Sequence, residues 1–149
     1  MLTWQWRSFA ELKNNELYDL LSLRQNVFII EQNCIYNDLD YLDQKAMHLL
    51  GYKDNQLAAY LRLLPKDVPY AGSLSFGRVL TAKNMRGQAL GKEMITETLR
   101  YLKQQDNTLP ITISAQLYLK KFYESFGFAG VGEPYDEDGI PHLKMIKPS

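Results

Sequence analysis

The sequence predicts a mixed α/β fold with a single, mostly antiparallel sheet of about six to seven strands flanked by helices. Segments with strand-like and helix-like hydrophobic spacing alternate along the chain. The 149 residues, 46% of them apolar, are enough for one hydrophobic core and too few for two full domains. No repeat, low-complexity tract or linker interrupts them. We therefore expect one domain over residues 1–149.

The first half of the chain predicts a strand, a helix and a two-stranded hairpin. The predicted strands cover residues 2–9, 47–53 and 57–64. Asn14 or Asn15 is suited to cap the helix. Its apolar residues recur at helical spacing: Leu17, Leu20, Leu21 and Phe28. The turn-forming sequence Asp54-Asn55-Gln56 separates the two strands of the hairpin, which we expect to be antiparallel.

The second half predicts two further helices among four strands. The strands cover residues 74–81, 111–115, 128–131 and 142–146, and the helices cover residues 88–105 and 119–126. Gly127 stands where a left-handed residue commonly ends a helix. Asp138-Gly139 is a turn sequence, so the last two strands are expected to form a closing hairpin.

Arg24 is an anomaly in the first helix. It lies four residues after Leu20 and four before Phe28, on the apolar stripe, and Glu31 follows seven residues later. A charge that points at a core needs a partner. Two interpretations remain open: a structural pair between Arg24 and a carboxylate, or a cavity lined by Arg24 or Glu31. Residues 33–44 are expected to form a mostly solvated loop without a bound metal.

Composition excludes several classes of protein. The 17 basic and 17 acidic side chains cancel, whereas a dedicated nucleic-acid-binding domain is strongly basic. We therefore expect no nucleic-acid partner. Neither a leader-like segment nor a long apolar span is present, so we expect a cytoplasmic protein without a membrane partner. Cys34 is the only cysteine and cannot form an internal disulfide.

A turn between a strand and a long helix, residues 80–92, predicts an anion site. Backbone N–H groups in the first turn of a helix and the positive end of its dipole favour a phosphate. The segment combines small residues with three cations and has no acid before Glu93: Lys83, Arg86, Gly87, Ala89, Gly91 and Lys92. It matches neither a P-loop nor a Rossmann fingerprint. The alternative is a helix start assisted by glycine, with solvated cations.

The turn resembles a known sequence signature. Arg86-Gly87-Gln88-Ala89-Leu90-Gly91 is similar to the Arg/Gln-x-x-Gly-x-Gly/Ala pyrophosphate loop of the GCN5-related N-acetyltransferase (GNAT) superfamily. Ala89 replaces the first glycine of that pattern, which narrows the approach to the pyrophosphate. A second signature, Asn-x-x-Ala-x-x-Leu-Tyr-x-x-x-Gly-Phe, resembles residues 116–128, with Gln116 at the Asn position. Residues 23–36, Asp38, Asp40, 48–51 and 136–142 resemble the ElaA-like branch.

The resemblance implies an acyltransferase that uses acetyl-CoA as cosubstrate and needs no metal. It implies direct attack by a primary amine of a small molecule or peptide in a ternary complex. The residues implied to contact coenzyme A are Val79, Leu80, Arg86, Gly87, Gln88, Ala89, Leu90, Gly91, Lys92 and Gln116. Tyr123 matches the general acid of the family, since a phenol can protonate a departing thiolate. Core packing is the alternative role of Tyr123.

The general base and the acceptor site are less defined. Glu31 is the first candidate base, as a partly buried carboxylate with a raised pKa, and His48 is the second. Alternatively, His48 is a hydrogen-bonded residue of its strand with no catalytic role. A chain of waters could also replace a single general base. Arg24, Phe28 and His142 are candidate substrate contacts, although His142 also fits a solvated hairpin loop.

Two other functions remain as alternatives to acetyl transfer. One is an acyl-CoA-binding or interaction domain without turnover. The other is an enzyme resembling acyl-homoserine lactone synthases, which binding of S-adenosylmethionine would reveal. The identity of the acceptor, the length of the acyl group and the oligomeric state, including a homodimer, stay open at this level.

Overall fold

Seven strands of the described residues, 2–149, lie in two antiparallel sheets, where the sequence led us to expect a single one. The computed structural model orders the first sheet β1-β2-β3-β4 and the second β5-β7-β6. The strands are β1 (Leu2–Ser8), β2 (Met47–Lys53), β3 (Gln56–Leu64), β4 (Ser75–Thr81), β5 (Ile111–Gln116), β6 (Ala129–Glu137) and β7 (Ile140–Lys147). The α-helices are α1 (Asn14–Arg24), α2 (Leu90–Gln104) and α3 (Lys120–Glu124).

The chain divides into two compact units. The first contains the residues up to Leu63 together with Arg78–Asn107, and the second contains Leu64–Gly77 together with Thr108–Ser149. One functional domain over residues 1–149 therefore remains a prediction. None of the helices in the described part of the chain is long and apolar enough to cross a membrane.

The hairpin of β2 and β3 forms the centre of the first unit. Met47 pairs with Leu63 at one end, and the turn at Asp54 and Asn55 places both residues at positive φ, as a type I′ turn requires. Eight of the nine residues of β3 are buried. A core cluster joins residues of this hairpin to residues of other elements, and its buried members are Leu20, Val27, Leu50, Leu57, Tyr60 and Leu80.

The first helix begins at Asn14, so neither Asn14 nor Asn15 is its N-cap residue, contrary to the prediction. Lys13 occupies the N-cap position, and its backbone N–H donates to the Glu16 carboxylate over 2.9 Å. A π-helical segment, Gln25–Glu31, follows α1 directly. Phe28 lies in this segment and packs against the core cluster, half-buried. The predicted helix is therefore present, although the segment Gln25–Glu31 at its end is π-helical and thus wider than an α-helix.

The second unit contains the three-stranded sheet and α3. Gly127 takes the left-handed conformation, with φ of 95°, as predicted. The closing hairpin is longer than the sequence indicated, because β6 continues to Glu137 and β7 begins at Ile140. Asp138 and Gly139 form its turn at positive φ. The short helix is tighter at its start, where a 3₁₀ turn, Leu117–Leu119, precedes α3.

Candidate functional site

The turn before α2 has the backbone of an anion site. Gly87 and Ala89 are both left-handed, with φ of 83° and 58°. A Cβ atom added at Gly87 would meet nothing within 4 Å, so the backbone there is open to a ligand. The first backbone hydrogen bond of the helix runs from the Glu93 N–H to the Ala89 carbonyl over 3.2 Å. The N–H groups of residues 90–92 precede that bond at the positive end of the helix dipole.

Arg86 is held on two sides within the first unit. Its Nη2 donates to the Thr81 carbonyl over 3.2 Å and to Glu31 Oε2 over 3.1 Å, and its Nη1 bonds Glu31 Oε1. The sequence showed no acid in this turn before Glu93, but the fold brings one to it. Glu31 is 55 positions from Arg86, and no local pattern connects the two.

Glu31 does not have the environment expected of a general base. Its side chain is partly exposed, and the hydrogen bond from Arg86 lowers the pKa of its carboxyl below the usual value. The expectation of a pKa raised by burial is therefore wrong, because the arginine stabilises the charged form. At neutral pH the Glu31 carboxylate is ionised and paired.

His48 is a buried, hydrogen-bonded strand residue. Its side chain is fully buried in β2, and its Nε2–H donates to the Asp43 carbonyl over 2.9 Å. This fixes the tautomer, so Nδ1 accepts from the Tyr60 hydroxyl. Burial lowers the pKa of His48, which keeps the imidazole neutral at pH 7. The structure thus shows His48 as a hydrogen-bonded residue of its strand, which was the alternative to a role as general base.

Tyr123 lies in an aromatic cluster of the second unit. Its ring centroid is 6.2 Å from that of Phe76, 5.1 Å from that of Phe122 and 5.9 Å from that of Phe128. Only 5% of the residue is exposed, and burial raises the pKa of its phenol. Tyr123 is therefore protonated at neutral pH, as a proton donor must be, and it also packs in the core.

Arg24 adopts the paired arrangement. It is fully buried, with Nε 2.8 Å from Asp38 Oδ2 and Nη1 2.8 Å from Asp43 Oδ1. We do not retain it as a substrate contact, because its guanidinium is enclosed by these carboxylates. The expectation of a mostly solvated loop over residues 33–44 is wrong for Asp38 and Asp43, both of which are buried.

These residues belong to a larger ion network of the first unit. We use this term for three arginines and three aspartates: Arg24, Arg62, Arg78, Asp38, Asp40 and Asp43. Arg62 donates to both carboxylate oxygens of Asp40, each over 2.8 Å. Burial alone would raise the pKa of Asp40, but the hydrogen bonds from Arg62 help lower it to about 2. The sequence signal for Arg62 was a charge within the apolar run of β3, which our sequence analysis missed.

The other predicted site residues lie in both units. Val79 and Leu80 follow Arg78 in β4, and Leu80 is buried. Gln116 ends β5. His142 lies in β7 and not in a solvated loop, with Nδ1–H donating to the Ile140 carbonyl over 2.7 Å and Nε2 3.2 Å from Glu137 Oε2.

Comparison with protein families decides the class of this chain. A model of the GNAT acetyltransferase domain matches residues 15–148. The chain belongs to the GNAT family. Membership makes it an acyltransferase linked to acyl-CoA donors, and the predicted GNAT fold is confirmed.

Individual GNAT relatives place the chain more closely. Protein ElaA of Escherichia coli K12 is 40% identical over 149 residues, which is 99% of this chain and 97% of that protein. Its crystal structure superposes with a TM-score of 0.91. An acyl-CoA N-acyltransferase from Pseudomonas aeruginosa superposes with a TM-score of 0.93 at 39% identity, covering 99% of each chain. The predicted resemblance to the ElaA-like branch of the GNAT family is thereby confirmed.

A more distant likeness shows the fold alone. A CoA-dependent acyl-homoserine lactone synthase superposes on this chain with a TM-score of 0.82, and the match covers 98% of this chain and 82% of the synthase. The two sequences are 14% identical. This likeness therefore carries no statement about activity.

Proposed function

We propose that residues 1–149 act as one acetyl-CoA-dependent N-acetyltransferase domain that acetylates a primary amine of a small molecule or peptide. The observation that carries the proposal is the turn before α2. It combines two left-handed residues, Gly87 and Ala89, with a helix start that no side chain caps. In a GNAT chain this arrangement fits a diphosphate, because free N–H groups and the helix dipole favour the anion.

In this proposal the backbone of residues 87–92 holds the diphosphate of coenzyme A, and Lys83 and Lys92 add positive charge. Val79 and Leu80 orient the thioester carbonyl through their backbone groups, and Gln116 contacts the donor, as the family resemblance implies. When bound, acetyl-CoA supplies a thioester whose carbonyl carbon an amine can attack. Binding both reactants in one site makes the attack effectively unimolecular.

Two protons move in the reaction. A new C–N bond forms and the C–S bond breaks, so the attacking amine loses a proton and the departing thiolate gains one. We assign the second proton to Tyr123 because of its position in the family signature, although burial raises the pKa of its phenol and makes it a weaker acid. We assign the first proton to a chain of waters, because Glu31 is ionised and paired with Arg86 and His48 is enclosed by Tyr60 and Asp43.

Ligand-dependent melting tests the donor site. At one hundred times Kd, acetyl-CoA should add about 2.7 kcal/mol of stability if it binds only the folded state. Gly91→Glu should abolish this shift, since it places a negative charge at the helix start. The control is Thr96→Glu, which adds the same charge one turn further along α2, at an exposed position. An unchanged shift in Gly91→Glu contradicts the assigned phosphate site.

An acceptor screen tests turnover. Wild-type protein is incubated with acetyl-CoA and a panel of amines and peptides, and released coenzyme A is measured as free thiol. We expect release that depends on one class of amine. Binding of acetyl-CoA without any release would instead indicate a binding domain, and release that requires S-adenosylmethionine would indicate chemistry of the lactone-synthase type.

A further inference from the structure

Arg78 holds an unusual backbone conformation inside a strand. It lies in β4 with φ of 50°, in the left-handed region, where a residue with a Cβ atom is disfavoured by about 1 kcal/mol or more. Its neighbour Gly77 could adopt this conformation without that cost but does not. The contacts of the Arg78 side chain are therefore the candidates for what stabilises this conformation.

The contacts of Arg78 converge on Asp38. Arg78 Nε forms an ion pair with Asp38 Oδ1 at 2.8 Å, without the geometry of a hydrogen bond. The hydrogen bonds come from Nη2, which donates to the Asp38 backbone carbonyl over 3.0 Å and to Asp40 Oδ2 over 3.4 Å. The guanidinium carbon also lies 5.6 Å from the centre of the Tyr36 ring. A guanidinium bound by both a carboxylate and a carbonyl is fixed in position and direction.

Asp38 is itself immobilised from the other side. Arg24, at the end of α1, contacts Asp38 Oδ2 over 2.8 Å and the Asp38 carbonyl over 3.0 Å, and the Tyr36 hydroxyl donates to Oδ1 over 2.9 Å. Asp38 is only 7% exposed, so solvent screens these interactions weakly. Asp38 thus links Arg78 directly to Arg24 at the end of the first helix.

We propose that the Asp38–Arg78 pair is a positioning device for acyl transfer: it fixes the left-handed residue of β4 and thereby sets the direction of the peptide groups of Val79 and Leu80. This inference rests on the proposed function, in which those two residues orient the thioester. A left-handed residue redirects the N–H and C=O groups that follow it, so its stability controls where they point. In this inference Arg78 and Asp38 are positioning residues that act through the backbone of β4.

Four variants separate positioning from general stability. Arg78→Gly removes the side-chain anchor but tolerates positive φ, whereas Arg78→Ala removes the anchor and disfavours that conformation. Asp38→Asn keeps the shape of the partner and removes its charge. The control is Arg100→Ala, which deletes an exposed arginine of the same unit that pairs with Glu97.

Each variant is measured in three ways: amide hydrogen exchange of residues 79–81, the Kd of coenzyme A, and kcat and KM with an acceptor from the screen. We expect exchange to accelerate and kcat to fall, each by at least about tenfold, in all three network variants. Coenzyme A affinity should stay within about threefold, because the backbone donors before α2 remain. Arg100→Ala should match the wild type.

Normal exchange and normal kcat in a folded Arg78→Gly protein would overturn the inference. A lowered melting temperature with unchanged kcat would do the same, since it would assign the pair a structural role only. Failure of the proposed function looks different: wild-type protein would then bind neither coenzyme A nor acetyl-CoA. Partial recovery of kcat in Arg78→Lys would support the inference, because lysine restores the charge but not the second hydrogen bond.

Discussion

Arg86 shows how one residue can serve two partners. Its guanidinium is shared between the Thr81 carbonyl and the Glu31 carboxylate. A carboxylate and a phosphate oxygen offer an arginine the same bidentate geometry. In the proposed donor site, Glu31 would therefore compete with the phosphate for Arg86.

Replacement of Glu31 tests this competition. Glu31→Gln keeps the size of the side chain and removes its charge, so Arg86 becomes available to phosphate. We expect the Kd of coenzyme A, measured by calorimetry at low salt, to decrease by a few-fold. Arg86→Ala is the control and should weaken binding. Unchanged binding combined with a collapse of kcat would instead return Glu31 to the role of general base.

Removal of the Tyr123 hydroxyl tests the proton donor. Tyr123→Phe keeps the ring that packs against Phe76 and Phe128. We expect kcat to fall on the order of 10²-fold while acetyl-CoA affinity stays within a few-fold, the pattern of a lost general acid. Phe122→Leu, a neighbouring change in the same cluster, controls for packing. Full transfer activity in folded Tyr123→Phe would show that another group protonates the thiolate.

At the scale of elements, β1 and β2 pack through a glycine. Trp4 pairs with Gly51 across the strands, and a Cβ atom added at Gly51 would lie 2.4 Å from the Trp4 ring. The indole covers the space that a side chain would need. Gly51 is thus required for close packing, not for an unusual backbone conformation.

Gly51→Ala should therefore destabilise the first sheet. Overpacking of this kind typically costs about 1–3 kcal/mol, which we expect as a lower melting temperature in thermal denaturation. The matched control is Gly77→Ala in β4, where a Cβ atom would meet nothing within 4 Å. Equal melting temperatures for the two variants would mean that Trp4 rotates away without cost.

The sequence was informative where short-range patterns determine structure. Asp54 and Asn55 identified the hairpin turn because few residues tolerate two successive positive φ values. The π-helical segment was not foreseen, since its apolar residues satisfy the same approximate spacing as an α-helix. The division of seven strands between two sheets was also missed, because hydrophobic periodicity identifies strands but not the partners they choose.

Site residues that are close together in the sequence could be predicted, whereas pairs of residues that are far apart in the sequence could not. The turn before α2 is contiguous in sequence, so residues 86–91 could be proposed as a site from sequence alone. Charge pairs were not accessible in this way: Arg78 and Asp38 are 40 positions apart, and Glu31 meets Arg86 across 55. The expected base properties of Glu31 failed for that reason, because its partner sets its pKa.

At the scale of the whole molecule, buried titratable groups make stability depend on pH. Burial alone would raise the pKa values of Asp40 and Asp43, but the arginines of the ion network lower both below their ordinary value, and burial lowers the pKa of His48. In each case the unfolded chain binds protons more readily than the folded protein. Stability is thus fully present above the unfolded pKa and is lost as the pH falls.

We expect two stages of acid destabilisation in melting curves. The first begins as the pH falls below 6.5, the ordinary value for His48, and the second begins below 3.8 and continues toward about 2 as Asp40 titrates. His48→Asn should remove the first stage and keep the second. A melting temperature that rises on acidification from pH 7 would contradict the assignment of a neutral, buried His48.

The ion network also constrains how this chain can change by mutation. Loss of a single member leaves an unpaired buried charge, which typically costs about 3–5 kcal/mol, whereas joint replacement of such a cluster by apolar residues of similar volume can be neutral. Arg24, Arg62 and Arg78 come from three separate elements, so no single segment can be exchanged alone. In a mutational library, single changes at these positions should therefore lower thermal stability more than joint changes do, and a grafted loop should be less stable unless its aspartates come with it.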